Sequence, residues 1–127
     1  MLNTKKIIDT YFASSWVHGD IQFEGTVIPL PSKPFIATSF TKIDRSIIGF
    51  GGDKTSKRDT GMYTVRCYAD SPTTVYDLEA LVLDFLECKE LNGVSVGVGV
   101  AQGNGAINLD NGLWETTTNF KTQNFKG

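Results

Sequence analysis

The change of hydrophobic period at Ser71-Pro72 constrains this chain more than any other feature. Ahead of it, Gly61 to Ala69 alternates, with Tyr63, Val65, Cys67 and Ala69 on one face and Met62, Thr64, Arg66 and Tyr68 on the other, the period of a half-buried strand. After it, Val75, Leu78, Leu81, Val82, Phe85 and Leu86 repeat along one side of a helical wheel, and Asp77, Glu79, Asp84, Glu87 and Glu90 fill the rest. Ser71 can cap a free amide and Pro72 has no amide hydrogen to lose in the first turn, so a helix is expected from there to about Lys89. A strand feeding a helix with an acidic back predicts a sheet covered by that helix, with Phe85 and Leu86 buried between them.

The flanking elements follow from the same periodicities. Residues 3–14 read as a first helix capped by Asn3 or Thr4, with Ile7, Ile8, Tyr11 and Phe12 on one face. Asp20–Glu24 reads as a short strand, and Pro29, Pro31 and Pro34 make a crossing that cannot be an inner strand. Phe35–Ile43 is β-branched and aromatic enough for another strand. Residues 44–60, with Gly49, Gly51, Gly52 and a run of basic side chains, are expected to form a mobile hairpin tip that projects from the body. Gly93 is expected to end the helical region. Val94, Val96, Val98 and Val100 then form one strand face, and Ser95, Gly97 and Gly99 leave the other nearly bare, open to close approach by another backbone. Gln102–Gly112 reads as a polar turn region, and Leu113–Phe125 as a closing strand. The expected fold is α+β, one domain over residues 1–127: a small, mostly antiparallel sheet packed against an N-terminal helix and a second long helix.

Composition narrows the function classes. With 127 residues, 40% of them hydrophobic, the chain can bury a core without a metal or disulfide framework. A formal charge of −2 gives no general attraction for nucleic acid or anionic membranes. The longest aliphatic run, Ala80 to Leu83, is far short of a spanning helix, so a soluble, non-secreted protein is expected. Cys67 and Cys88, with no CxxC motif, read as two reduced core residues.

The chemical motifs are weak. Gly49-Phe-Gly-Gly-Asp-Lys-Thr55 resembles a phosphate loop, yet Asp53 stands where a glycine should precede the lysine, and a strand follows where a helix should. His18 is the only histidine, and its polar neighbour Asp20 lies across a glycine turn. Asn108, Asp110 and Asn111 lack the spacing and closing glutamate of a calcium loop. No catalytic, cofactor-binding or metal-binding residue is assigned.

One resemblance spans nearly the whole chain. Ile21-Gln-Phe-Glu-Gly25, Pro34-Phe-Ile36, Gly61-Met-Tyr-Thr-Val65 entering Tyr68-Ala-Asp-Ser-Pro72, a helix ending in Phe85-Leu86, Val94-Ser-Val96 and Trp114 on the last strand resemble, in that order, the tail terminator (tail completion) proteins of long-tailed bacteriophages. Pro72-Thr-Thr74 departs from the glycine common at the start of that family's second helix. The resemblance implies a virion structural protein without catalytic residues or cofactors, made in the bacterial cytoplasm and placed at the head-proximal end of the tail. It would form a homohexameric ring on the tail tube, stop tube polymerisation and present a surface to the head-completion protein, with DNA passing through without sequence-specific binding. A related head-tail connector or minor tail protein, and a small ligand-binding module or enzyme, stay open as alternatives.

The charge distribution independently allows ring contacts. Residues 42–66 hold Lys42, Arg45, Lys54, Lys57, Arg58 and Arg66 against Asp44, Asp53 and Asp59, whereas residues 70–90 hold Lys89 against Asp70, Asp77, Glu79, Asp84, Glu87 and Glu90. Opposite patches on one chain suit head-to-tail association of copies. Arg58 or Arg66 is therefore expected to meet Glu79, Asp84 or Glu87 of a neighbour. Ile47, Ile48 and Phe50 are the expected apolar anchors of the projecting loop.

Overall fold

The computed structural model describes residues 3–25, 34–51, 54–109 and 112–126; the side chains of residues 45–51, 54–57, 104, 125 and 126 fall outside that description. The elements run α1 (Thr4–Ser15), β1 (Asp20–Phe23), β2 (Phe35–Gly51), β3 (Lys54–Ala69), α2 (Pro72–Leu86), β4 (Glu90–Leu91), β5 (Val94–Asn108) and β6 (Trp114–Lys126). Among the described residues the strands form one mixed sheet in the order β1-β2-β3-β6-β5-β4. Only the β1–β2 pair is parallel. The chain is α+β and mostly sheet.

Both helices begin where local chemistry requires. The Asn3 side chain accepts from the Lys6 amide at 2.8 Å, and Ser71 accepts from the Thr74 amide at 3.2 Å with Pro72 in the first turn. From α1, Ile7, Ile8 and Phe12 are buried, and from α2, Val75, Leu78, Val82 and Leu86. They share one core with Ile36, Tyr63, Val65, Cys67 and Phe120 of the sheet. Strand residues alternate between faces, so Met62, Thr64, Arg66 and Tyr68 lie on the face away from this core.

Polar bonds tie the helices down. The Tyr63 hydroxyl, deep under α1, donates to the Asp9 carboxylate at 2.5 Å, and Asp9 also pairs with Lys5 at 2.7 Å. Asn124 donates to the buried Thr4 hydroxyl at 3.2 Å. The helices meet where the Tyr11 hydroxyl donates to the Phe85 carbonyl at 3.0 Å and the two rings stack with centroids 4.2 Å apart.

Several expectations are corrected. Helix α2 stops at Leu86, short of Lys89, because Glu87 is already extended and Cys88 takes a left-handed conformation (φ 58°). From there the Cys88 amide donates to the Gly97 carbonyl at 3.3 Å, and the Lys89 carbonyl accepts from the Val96 amide at 2.9 Å. The chain thus leaves the helix to join the sheet edge, and Cys88 is exposed where burial was expected; Cys67 is buried. Gly93 does not end the helix. It closes a two-residue turn with Asn92, both at positive φ (46° and 87°), between β4 and β5. Leu86 is buried as expected, but Phe85 is only half-buried and fills the seam between the helices, and Leu81 is exposed.

The bare glycine face of β5 is also corrected. A register shift between Val96 and Gly99 turns the strand over, so Val94 and Val96 are buried while Val98 and Val100 are 61% and 62% exposed. Gly99 then faces the core, where a Cβ would meet the Leu83 and Phe120 side chains (the latter at 2.8 Å) and the Thr118 methyl at 3.0 Å. The core is already full at that point, which is why the outward turn of two valines is tolerated. Gly99→Val is therefore expected to lower stability by about 1–3 kcal/mol in urea unfolding, the usual cost of overpacking. Unchanged stability would mean that the strand can slip back into simple alternation. Beyond the bulge, β5 runs on to Asn108 through Gly103 and Gly105, both at positive φ, where a polar turn region was expected.

Candidate interaction surfaces

Residues 44–60, expected to be a mobile tip, are mostly strand. β2 and β3 pair in register as far as Gly51 opposite Lys54, with bulges between Lys42 and Asp44 and between Ile47 and Gly49. β6 accompanies β3 only from Lys57 onward. Among the described residues, 49–51 and 54–56 consequently pair as two strands without a third beyond the three-stranded part of the sheet. The Pro29 and Pro31 crossing, and the Asp110-Asn111 turn, lie outside the described residues. So do the side chains of Ile47, Ile48 and Phe50, whose backbones belong to β2.

The charged candidates separate into different places. Arg66 sits on β3 between Ala37 and Thr117, on the face away from the helices. Arg58 lies farther along β3, opposite Ser46 and Phe125, and its Nε is buried without a hydrogen-bond partner among the described residues. Glu79, Asp84 and Glu87 are on or just after α2, with Asp84 exposed and the other two half-buried. Among the described residues none of the two arginines forms an ion pair with these acids. Glu87 is already engaged: its carboxylate accepts from the Gly99 amide at 2.8 Å and closes the sheet edge beyond β4.

The sequence reading missed several exposed apolar side chains on β5 and α2. Val98, Val100 and Ile107 are exposed on β5, and Tyr76 of α2, whose hydroxyl accepts from the Ala106 amide at 2.8 Å, is exposed as well. The glycine between Val98 and Val100 was the available signal, since a glycine inside an alternating strand often marks a bulge.

No arrangement with obvious chemistry emerges from the described residues. A cavity of about 320 Å³ opens beside the start of α1, with Thr4, Lys5, Phe40, Lys42 and Asp59 among its walls. Its walls carry neither cysteine nor histidine, so no nucleophile and imidazole base meet there. His18 is exposed and sets its ring against the Trp16 edge at 5.0 Å. The residues on either side of 52–53 are strand, without the helix N-terminus that a phosphate loop needs. No group of three or more His, Cys, Asp or Glu among the described residues could hold a metal ion. No helix among them is long and apolar enough to cross a membrane.

Comparison with known proteins adds to the fold alone. No family model matches the chain, and no curated protein does. A solved structure whose name states no function aligns with a TM-score of 0.58 at 10% identity, covering 97% of this chain and 90% of that one.

Proposed function

We propose that this chain is a structural protein of the tail terminator type, closing as a homohexameric ring on the end of a bacteriophage tail tube. In this reading the ring ends tube polymerisation, offers its other surface to the head-completion protein and lets DNA pass without reading its sequence. It sits at the head-proximal end of the tail after assembly in the host cytoplasm, and it needs neither catalytic residue nor cofactor. The reading rests first on the ordered sequence motifs. The fold, with both helices contributing to one core under a mostly antiparallel sheet, is compatible with it.

The observation that carries it is the pair of strands at 49–51 and 54–56. Among the described residues no third strand covers this ribbon, so its edges offer unpaired backbone groups to which a partner could add. A tube end and a neighbouring subunit are the surfaces a terminator would offer. Exposed Val98, Val100 and Ile107 add apolar area of the kind that marks association sites when contiguous.

Replacing residues 49–56 by a two-residue turn keeps the Ile47–Lys57 pair and removes only the ribbon. The shortened chain is expected to fold with a nearly unchanged melting temperature, yet to yield tails of uncontrolled length or tails that fail to join heads. Electron microscopy of assembled particles reads the result, and normal tails and virions from the shortened protein would refute the role.

A further inference from the structure

The sheet has two faces, and the helices share a core with one of them. Strand alternation turns Met62, Thr64, Arg66 and Tyr68 of β3 to the other face, and with them Glu115, Thr117, Asn119 and Lys121 of β6. An antiparallel sheet presents such a face to water when its side chains are polar. Along β5 they are not: none of its 15 residues is charged, and Val98, Val100 and Ile107 are 61%, 62% and 54% exposed. Val100 lies opposite Asn119 and Ile107 opposite Glu115, so both belong to this outer face. Val98 belongs to it too, because its neighbour Gly99 points into the core. Beside the bulge the same face is dented by a hollow of about 220 Å³, lined by Ser95, Val96, Gly97, Lys121 and Gln123.

Charge decides what fits against this strip. Among the described side chains β6 turns two charged ones to it, at opposite ends: Glu115 beside Ile107, and Lys121 beside the hollow. Lys121 is exposed and forms no ion pair among the described residues, and Glu115 is half-buried with its carboxylate in reach of the Tyr68 hydroxyl. Two copies stacked with their strands running the same way would set glutamate against glutamate and lysine against lysine. Turning one copy end for end sets each Glu115 against the other copy's Lys121, brings the two Val100 side chains together in the middle, and places each Ile107 over the other copy's hollow. We propose that two copies of this chain pack sheet to sheet through this face about a twofold axis near Val100, with Glu115 meeting Lys121 at both ends. Sheets stacked in this way stand about 10 Å apart, with the side chains of their facing strands interdigitated. A twofold contact closes on itself at two copies, so it is separate from the head-to-tail contacts of a ring and does not rest on the ring reading.

Sedimentation equilibrium of the full chain, up to about 1 mM so that even a weak pair registers, should show a monomer–dimer equilibrium. Val100→Lys, at a position that is already exposed, should weaken the dimer roughly tenfold or more by setting like charges at the axis. Lys121→Glu and, separately, Glu115→Lys should do the same. An equimolar mixture of these two charge variants should form heterodimers although neither pairs with itself, and the chain carrying both changes should dimerise like the wild type. Circular dichroism checks that each variant is folded; should Glu115→Lys fail to fold, Val100→Lys and Lys121→Glu, both at exposed side chains, still decide. A wild type that is monomeric at every concentration, or a dimer indifferent to Val100→Lys or to Lys121→Glu, overturns the contact. Six-membered rings that form where no dimer does overturn it and spare the ring reading. Dimers that follow the charge pattern, from a chain that never caps a tail tube, support the contact and count against the ring reading.

Discussion

Truncating Phe12 to alanine is expected to lower stability by about 3–5 kcal/mol, the range for removing a large buried aromatic side chain. Phe12 has no exposure and stands where three elements meet. Its ring stacks with Tyr63 of β3 at 6.0 Å, tilts against Phe85 of α2 at 4.8 Å and against Trp16 at 5.8 Å. Alanine would leave a cavity that none of these can fill, because Tyr63 is held by Asp9 and Phe85 is stacked on Tyr11. A domain of this size has about 5–15 kcal/mol to lose, so the variant should sit near its unfolding threshold and melt on the order of 10 °C or more below the wild type. Phe85→Ala should cost distinctly less, since Phe85 is half-buried at the seam. Equal losses for the two, or a loss below about 1 kcal/mol for Phe12, would mean that α1 is not docked as described.

What the sequence disclosed, and what it did not, follows from how local each signal is. Asn3, Ser71 and Pro72 act within one helical turn, so both helix starts were legible. The end of α2 was not, because it is set by the pull of the sheet edge on Cys88 and Lys89 through bonds to Gly97 and Val96. Asn92-Gly93 did carry a local signal for a two-residue hairpin, but the preceding strand is only Glu90–Leu91 and was absorbed into the helix. The strands through 44–60 were hidden for a different reason. Glycine and charge give no alternation to read, and the pairing is enforced by backbone partners far along the chain, as in Lys57 opposite Lys126.

The candidate surfaces were legible as composition and not as placement. Segregation of basic and acidic residues can be counted directly, but the count cannot say which carboxylates are free. Glu87 looked equivalent to Asp84 on the wheel, and only the bulge that brings the Gly99 amide within reach separates them. The same bulge sent Val98 and Val100 outward. A period-two reading assigns all four valines to one face because it assumes an uninterrupted ladder.

Alkali should unfold this protein more steeply than its modest charge implies, because the core holds two groups that must stay protonated. The Tyr63 phenol is held well above its ordinary range, first by burial and then by its hydrogen bond to the Asp9 carboxylate. Burial likewise pushes the Cys67 thiol up to about 12; the charge of Glu79 adds to this and the Thr116 hydroxyl opposes it. In the unfolded chain these groups titrate near pH 9 to 10. Their folded pKa values are raised, so the stability they contribute is complete below about pH 9 and is lost as pH climbs toward the folded values. Tyr68, half-buried and raised first by burial and then by its hydrogen bond to Glu115, adds a third such group on the outer face. Each group then costs up to about 1.4 kcal/mol per pH unit, and together roughly 3–4 kcal/mol per unit between about pH 10 and 12, enough to exhaust an ordinary domain. Urea unfolding followed from about pH 8 to 12 should show a plateau and then this fall. Cys67→Ala should make the fall shallower by about a third, although it lowers the plateau by removing buried volume. A wild-type stability that stays flat to pH 11, or a Cys67→Ala profile parallel to the wild type, would show that these groups are reached by solvent in the folded chain.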